Sequence, residues 1–238
     1  MPLVYGDVGQ GGFSHCLVIC SLPKKQCPVE SHNHVRKSVG IFDVGHMVQS
    51  KWDICLTFFM SSLIISPSLR GQTVTDFLEW LTPSSLASLK PYTSTLSVLL
   101  NEDGGIIDDT IITKHATDAF YIVTNAGRRE RDLSWFKEKL GEWNATDNGK
   151  QGPVELEVLE NWGLLALQGK SSLLFYFTKA SCFILSLGPK AASYLQGLTS
   201  FDLRQLTFGS SAFVPIEGFN LHVARGGYTG EDGFEVNL

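Results

Sequence analysis

No basic tract runs through these 238 residues: 19 Lys and Arg are dispersed against 24 Asp and Glu, for a formal charge of -5. Nucleic acids and anionic membrane surfaces are recognised by clustered positive charge, so neither is an expected partner. The start, Met1-Pro2-Leu3-Val4-Tyr5-Gly6-Asp7, lacks both the basic and apolar regions of a secretory signal and the Arg-rich amphipathic character of an organellar presequence. No apolar run reaches the roughly 20 residues of a membrane span; Ile54 to Leu69 comes nearest, and serines and a proline break it. Cysteine is sparse and unpaired in pattern. Cys16, Cys20, Cys27, Cys55 and Cys182 are odd in number and form no CxxC, which argues against a disulfide framework and against structural zinc. A GxGxxG dinucleotide fingerprint is also missing.

What is present is ordinary for a chain with a sizeable core: 43% hydrophobic and 18% charged residues, enough for one large domain or two small ones. Thr95 to Leu100 reads as a strand, the turn Asn101-Glu102-Asp103-Gly104-Gly105 follows, and Ile106 to Lys114 and Ala119 to Thr124 are further strands. After Asn125-Ala126-Gly127, Leu133, Phe136 and Leu140 recur at helical spacing among charged residues. Val154 to Leu159 and Leu164 to Leu167 return to strand character, Lys190 to Leu198 reads as helix, and the glycine-rich end from Phe208 alternates like antiparallel strands. The sum is an α+β layer fold.

Three stretches, 11–29, 51–69 and 170–187, differ from the rest. They hold all five cysteines and only one acid, Asp53, and are rich in Ser, Leu, Ile and Phe. Exposed β-prone runs of low charge favour aggregation. The expectation is that all three lie outside the main core as irregular or loosely packed excursions, and that deleting them improves solubility. Phe58, Phe59, Ile64 and Ile65, and Phe175, Tyr176, Phe177 and Phe183, carry most of that apolar surface.

Three clusters could carry chemistry. Asp108-Asp109 follows the Gly-Gly turn at a strand start, where neighbouring side chains point to opposite faces. Either both acids decorate a hairpin, or one faces a cleft and its neighbour is structural. In Arg225-Gly226-Gly227-Tyr228-Thr229-Gly230-Glu231-Asp232-Gly233-Phe234-Glu235, the glycines allow close backbone approach to a planar ligand, and Glu235 could accept two parallel N–H bonds from an amino-pyrimidine edge. The alternative is a hairpin with surface acids. Ser31-His32-Asn33-His34-Val35-Arg36, with Asp43, Gly45 and His46, matches no metal-ligand spacing and reads as satisfied polar residues near a turn.

These and other motifs, in order, resemble the T-protein, or aminomethyltransferase, family of the glycine cleavage system. They include Ile41-Phe42-Asp43-Val44-Gly45-His46-Met47, Asn101 to Asp109, Asn125-Ala126-Gly127, Leu164-Leu165-Ala166-Leu167-Gln168-Gly169 and Gly227 to Glu235. The resemblance implies a folate-binding fold of antiparallel and mixed sheets with packed helices. It also implies transfer of an aminomethyl group from the lipoyl arm of H-protein to tetrahydrofolate as co-substrate, without a metal, in mitochondria. By the same resemblance Asp109 is the catalytic carboxylate and Glu235 grips the pterin ring, while Asn125, Tyr228 and Met47 line the folate site. Folate-binding domains of sarcosine- or dimethylglycine-oxidising enzymes, and non-enzymatic folate-binding proteins of similar fold, are the alternatives.

The chain departs from that family in two ways. It stops at Leu238, before the family's C-terminal barrel, so it reads as an interior fragment of low activity. The three odd stretches interrupt family motifs, and Ser50-Lys51 and Gly169-Lys170 can each be encoded with GTAAG across the junction, a common intron start. Translated introns are therefore the expected origin of these stretches. Long structureless loops are uncommon in compact domains.

Overall fold

The computed structural model describes residues 28–54, 73–160, 162–169, 172–178, 181–187 and 190–238. They form two compact units: the described residues up to His46 with Gly163–Leu238, and Met47–Trp162. In chain order come helix α1 (Pro28–Lys37), strands β1 (Val39–Asp43) and β2 (Val48–Ile54), helix α2 (Thr73–Leu81), and strands β3 (Thr93–Leu100), β4 (Ile106–Ala116) and β5 (Ala119–Thr124). Helices α3 (Arg129–Ala145) and α4 (Asp147–Gln151) follow, then strands β6 (Val154–Val158), β7 (Leu164–Gly169), β8 (Ser172–Thr178) and β9 (Ser181–Leu187). Helix α5 (Lys190–Gln196) and strands β10 (Ser211–Ile216), β11 (Phe219–Arg225) and β12 (Gly233–Asn237) complete the order.

The Met47–Trp162 unit is built on a five-stranded sheet of order β3-β4-β5-β2-β6. Helix α2 buries Val74, Phe77, Leu78 and Leu81, the i, i+3, i+4, i+7 stripe of an amphipathic helix. On α3 the buried positions are Asp132, Phe136, Lys139 and Trp143, while Leu133 and Leu140 are only partly buried. The inward stripe is therefore turned by about one position from the apolar spacing legible in the sequence. Trp52 joins the two helices at the centre of this core, stacked on Phe77 at 5.5 Å and edge-on to Phe136 at 5.0 Å.

The other unit carries a sheet of order β1-β7-β12-β11-β10. Leu167, Val214, Val223, Phe234 and Val236 form its core with Ala191 and Leu195 of α5. Every strand pairing among the described residues is antiparallel, within an α+β fold as expected. No helix among them is long and apolar enough to cross a membrane.

Two expectations need correction. Residues 31–36 are not at a turn but in α1, with Pro28 at its first position, Glu30 in its first turn and His34, Arg36 and Lys37 in its last, an order that complements the helix dipole. The stretch 51–69 does not lie wholly outside the core, because β2 runs on to Ile54 and Trp52 is fully buried. Side chains two apart on a strand share a face, so the inward row that includes Val48 and Ser50 reaches Trp52. In the third stretch, β8 and β9 pair with each other and with neither large sheet, so the excursion has the regular backbone of a hairpin where an irregular or loosely packed one was expected. Their Leu-, Phe- and Ile-rich composition favours extended backbone. Side-chain burial at Phe175, Tyr176, Phe177 and Phe183, and the placement of 11–27 and 55–69, lie outside the described residues.

Candidate active site

In the Met47–Trp162 unit the site begins at the turn before β4. Asn101 Oδ1 accepts the N–H of Asp103 at 3.1 Å and of Gly105 at 2.6 Å, and Gly104 takes φ +78°, so the chain reverses tightly. β4 then alternates: Asp108, Thr110 and Ile112 are buried, while Asp109 and Ile111 face outward. The two adjacent carboxylates are divided between the faces of the strand, as its geometry requires.

Asn125, at the end of β5, ties them together. Its backbone N–H donates to Asp108 Oδ2 at 3.1 Å, and its side-chain Nδ2 donates to Asp108 Oδ1 at 3.0 Å and to Asp109 Oδ1 at 2.8 Å. Although Asn125 occupies the cap position of the short helix Ala126–Arg128, its side chain makes no capping bond; the carboxylates use it instead. Behind Asp108 lies Asp132, in the first turn of α3 and fully buried. Burial first, then the nearness and charge of Asp108, push its carboxyl up to about 7, against smaller lowering by Thr124 and Arg128.

In the other unit the loop between β11 and β12 is held at three points. Arg225 forms two parallel bonds to Asp232, at 3.0 and 2.7 Å, and donates to the Leu206 carbonyl at 2.8 Å. Gln168, fully buried on β7, donates to the Gly226 carbonyl at 3.0 Å and accepts from Thr229 Oγ1 at 2.8 Å. Arg36 of α1 pairs with Glu231 at 2.9 Å. The loop thus presents Tyr228, which is exposed and touches Phe42 edge-on at 5.9 Å. Glu235 follows on β12, opposite Ala224 and Ala166, and burial pushes its carboxyl above the usual range. Among the described residues no donor meets that carboxylate.

The residues expected to be functional therefore fall into two sets. Asp109 and Asn125 are in direct contact, and Met47, half-buried just before β2, belongs to the same unit. Tyr228 and Glu235 share a loop and strand of the other. In the polar cluster near residue 43, Asp43 Oδ1 accepts the Gly45 N–H at 3.0 Å, while Arg36 reaches out to Glu231. Among the described residues no group of three His, Cys, Asp or Glu is placed to hold a metal ion. The sequence reading overlooked Asp132 and gave no role to Gln168 or Arg225, which stand only as members of quoted motifs. A lone Gln within the apolar run of β7 was the legible signal for Gln168; Asp132, four residues before Phe136, could have been found from its place on the helical stripe.

The described residues define an α+β protein whose two five-stranded antiparallel sheets each carry a carboxylate set beside a tightly bonded turn. The chain belongs to the family of the GCVT N-terminal domain, whose family model matches residues 60–176 and 174–238. The two matched stretches meet inside 170–187, the third compositionally odd segment. The chain is 39% identical over 216 residues to the probable mitochondrial aminomethyltransferase of Schizosaccharomyces pombe, covering 90% of this chain and 44% of the relative. With the mitochondrial aminomethyltransferase of Homo sapiens it shares 34% identity over 240 residues, covering 100% of this chain and 49% of the relative. Its fold matches the crystal structure of glycine cleavage system aminomethyltransferase T from Bartonella henselae with a TM-score of 0.64 at 25% identity, over 99% of this chain and 50% of that one. The chain spans about half the length of the curated relatives it matches.

Proposed function

We propose that this region handles tetrahydrofolate in an aminomethyltransferase of the glycine cleavage system, a mitochondrial enzyme that takes the aminomethyl group from lipoylated H-protein. Ammonia and 5,10-methylenetetrahydrofolate are the products. Membership of the GCVT family supports the reading, as do the names of the relatives. The single observation that carries it is the Asn125 amide bridging Asp108 and Asp109.

That bridge leaves Asp109 suited to one task. Its Oδ1 is anchored by Asn125, and Oδ2 takes no hydrogen bond from a described residue, so one oxygen is held and the other is available. When the aminomethyl thioether loses its thiolate, positive charge develops on the departing iminium group, and a fixed carboxylate stabilises that charge without having to reorganise. Holding the folate N5 in line supplies much of the remaining acceleration, with proton transfer contributing about 10²–10⁴. Glu235 is assigned to the amino-pyrimidine edge of the pterin. Two parallel N–H donors there would offset the desolvation that raises its carboxyl.

The test is transfer from aminomethylated H-protein by the polypeptide extended to the length of its relatives. Asp109→Asn should lower turnover at least about a hundredfold, and Asp108→Asn less, because an outward strand face alone meets substrate. Equal losses at the two positions would overturn the assignment of Asp109.

A further inference from the structure

Asp132 is a charged residue type in a place that no charge should occupy. It is fully buried, and neither of its carboxyl oxygens receives a hydrogen bond from a described residue. The hydroxyl of Thr124, buried beside it, is likewise without a partner of good geometry. An ionised carboxylate held this way would be uncompensated. The titratable groups that face it are Asp108 from β4 and Arg128 from the short helix before α3, and Arg128 is the weaker influence.

Asp108 is already engaged as an acceptor: both its oxygens take N–H bonds from Asn125. Two carboxyls side by side and out of water do not both ionise. Since no donor reaches Asp132 while two reach Asp108, the shared proton belongs on Asp132. Asp108 and Thr124 are the side chains beside it that can take its O–H.

We propose that Asp132 is a positioning residue which, as the neutral acid, donates a hydrogen bond to Asp108 and so holds the Asn125 amide that orients Asp109. The chain of contacts runs from the buried face of α3, through Asp108 on the inner face of β4, across Asn125, to the outward carboxylate. Burial and the Asp108 charge, which raise the Asp132 carboxyl to about 7, are consistent with it. Loss of that proton would place two negative charges behind Asn125 and loosen the amide from Asp108.

The effect on catalysis rests on the reading of Asp109 given above; the protonation of Asp132 does not. Two variants separate these. Asp132→Asn keeps a neutral donor toward Asp108, whereas Asp132→Leu keeps the volume and removes the donor. In the 238-residue chain, thermal unfolding is followed from pH 5 to pH 9. A carboxyl whose native pKa lies above its unfolded value stabilises the fold fully below the unfolded pKa and loses that contribution as pH rises through the native one, here toward about 7. The wild type should lose stability across that window more steeply than Asp132→Asn; equal slopes would overturn the proposal.

In the extended polypeptide, Asp132→Asn should keep kcat within about threefold, and Asp132→Leu should lose about tenfold or more in kcat with a smaller change in KM, the effect expected of one lost hydrogen bond to a charged acceptor. Full kcat in Asp132→Leu, or equal losses in both variants, would refute the positioning role. If Asp132→Leu fails to fold, the slope difference between wild type and Asp132→Asn still decides the protonation. An active Asp109→Asn with a flattened slope in Asp132→Asn would remove the functional reading of Asp109 alone.

Discussion

Gln168 and Gly227 fit so closely that a β-carbon on residue 227 would overlap the Gln168 amide, and Gly227 itself holds φ +152°, a region open in practice only to glycine. The same amide holds Gly226 and Thr229. One buried polar side chain thereby shapes the loop that presents Tyr228. Gly227→Ala is expected to cost about 2–4 kcal/mol, combining backbone strain with overpacking. Gly104, at φ +78° with open space around it, serves as the comparison. Gly104→Ala should cost only about 1–2 kcal/mol. Urea unfolding of the two variants measures both, and equal losses would show that the Gln168 contact is unimportant.

Arg225 and Asp232 close the base of that loop through two parallel bonds, with both side chains largely buried. Lysine can supply the charge but not the fork. Arg225→Lys should therefore destabilise by about 1–3 kcal/mol, and Arg225→Lys combined with Asp232→Asn by less than the sum of the single changes. Chemical denaturation of the three variants gives the coupling directly. Strict additivity would mean that the pair is not a unit.

Glu235→Gln should act in opposite directions on folding and on binding. Burial raises the Glu235 carboxyl, so the native state holds its proton more tightly than the unfolded chain, and stability is lost as pH rises through the native pKa. Gln removes that loss, so the variant should gain stability at pH 8 relative to wild type and show no gain at pH 4. If Glu235 grips the pterin, tetrahydrofolate affinity should fall by roughly 1.5–3 kcal/mol, the worth of a charge-assisted bond. Fluorescence titration reads the second effect; unchanged affinity with higher stability would leave Glu235 a buried acid with no ligand.

Trp52 decides where a deletion in the second odd stretch can begin. It is fully buried, packs on Phe77 and Phe136, and donates to Ser50 Oγ at 3.0 Å. Trp52→Ala should cost about 3–5 kcal/mol. Removing 51–69 should then lower thermal stability, whereas removing 55–69 should keep the Trp52 contacts and improve solubility. A stable 51–69 deletion would show that the inner end of β2 is replaceable. Sequencing the transcript across 50–51 and 169–170 tests the intron origin independently.

Much of this fold was legible in the residues because its signals are local. Strands β3, β4 and β5 follow from β-prone runs bounded by turn residues, and β5 from Ala119 to Thr124 was read to the residue. The opposite facing of Asp108 and Asp109 follows from the two-residue period of a strand. The ordered motifs carried the family, and with it the roles proposed for Asp109, Asn125, Tyr228, Met47 and Glu235. Helix α2 passed unnoticed although Arg70-Gly71-Gln72 and the Thr73-Val74-Thr75-Asp76 start mark its boundary and its apolar residues recur at helical spacing. Helix α1 was hidden by a polar composition that reads equally well as a loop.

Only the tertiary structure decided which polar side chains are buried, and against what. Asp132 reads as one more surface acid at the start of a charged helix until α3 is laid on the sheet and turned so that the stripe from Asp132 to Trp143 faces inward. Gln168 meets Gly226 and Thr229 across 58 and 61 residues of sequence. Local propensity carries no term for a partner that distant. The energetic standing of a buried donor or acceptor depends almost wholly on whether that partner arrives, and chain topology settles it.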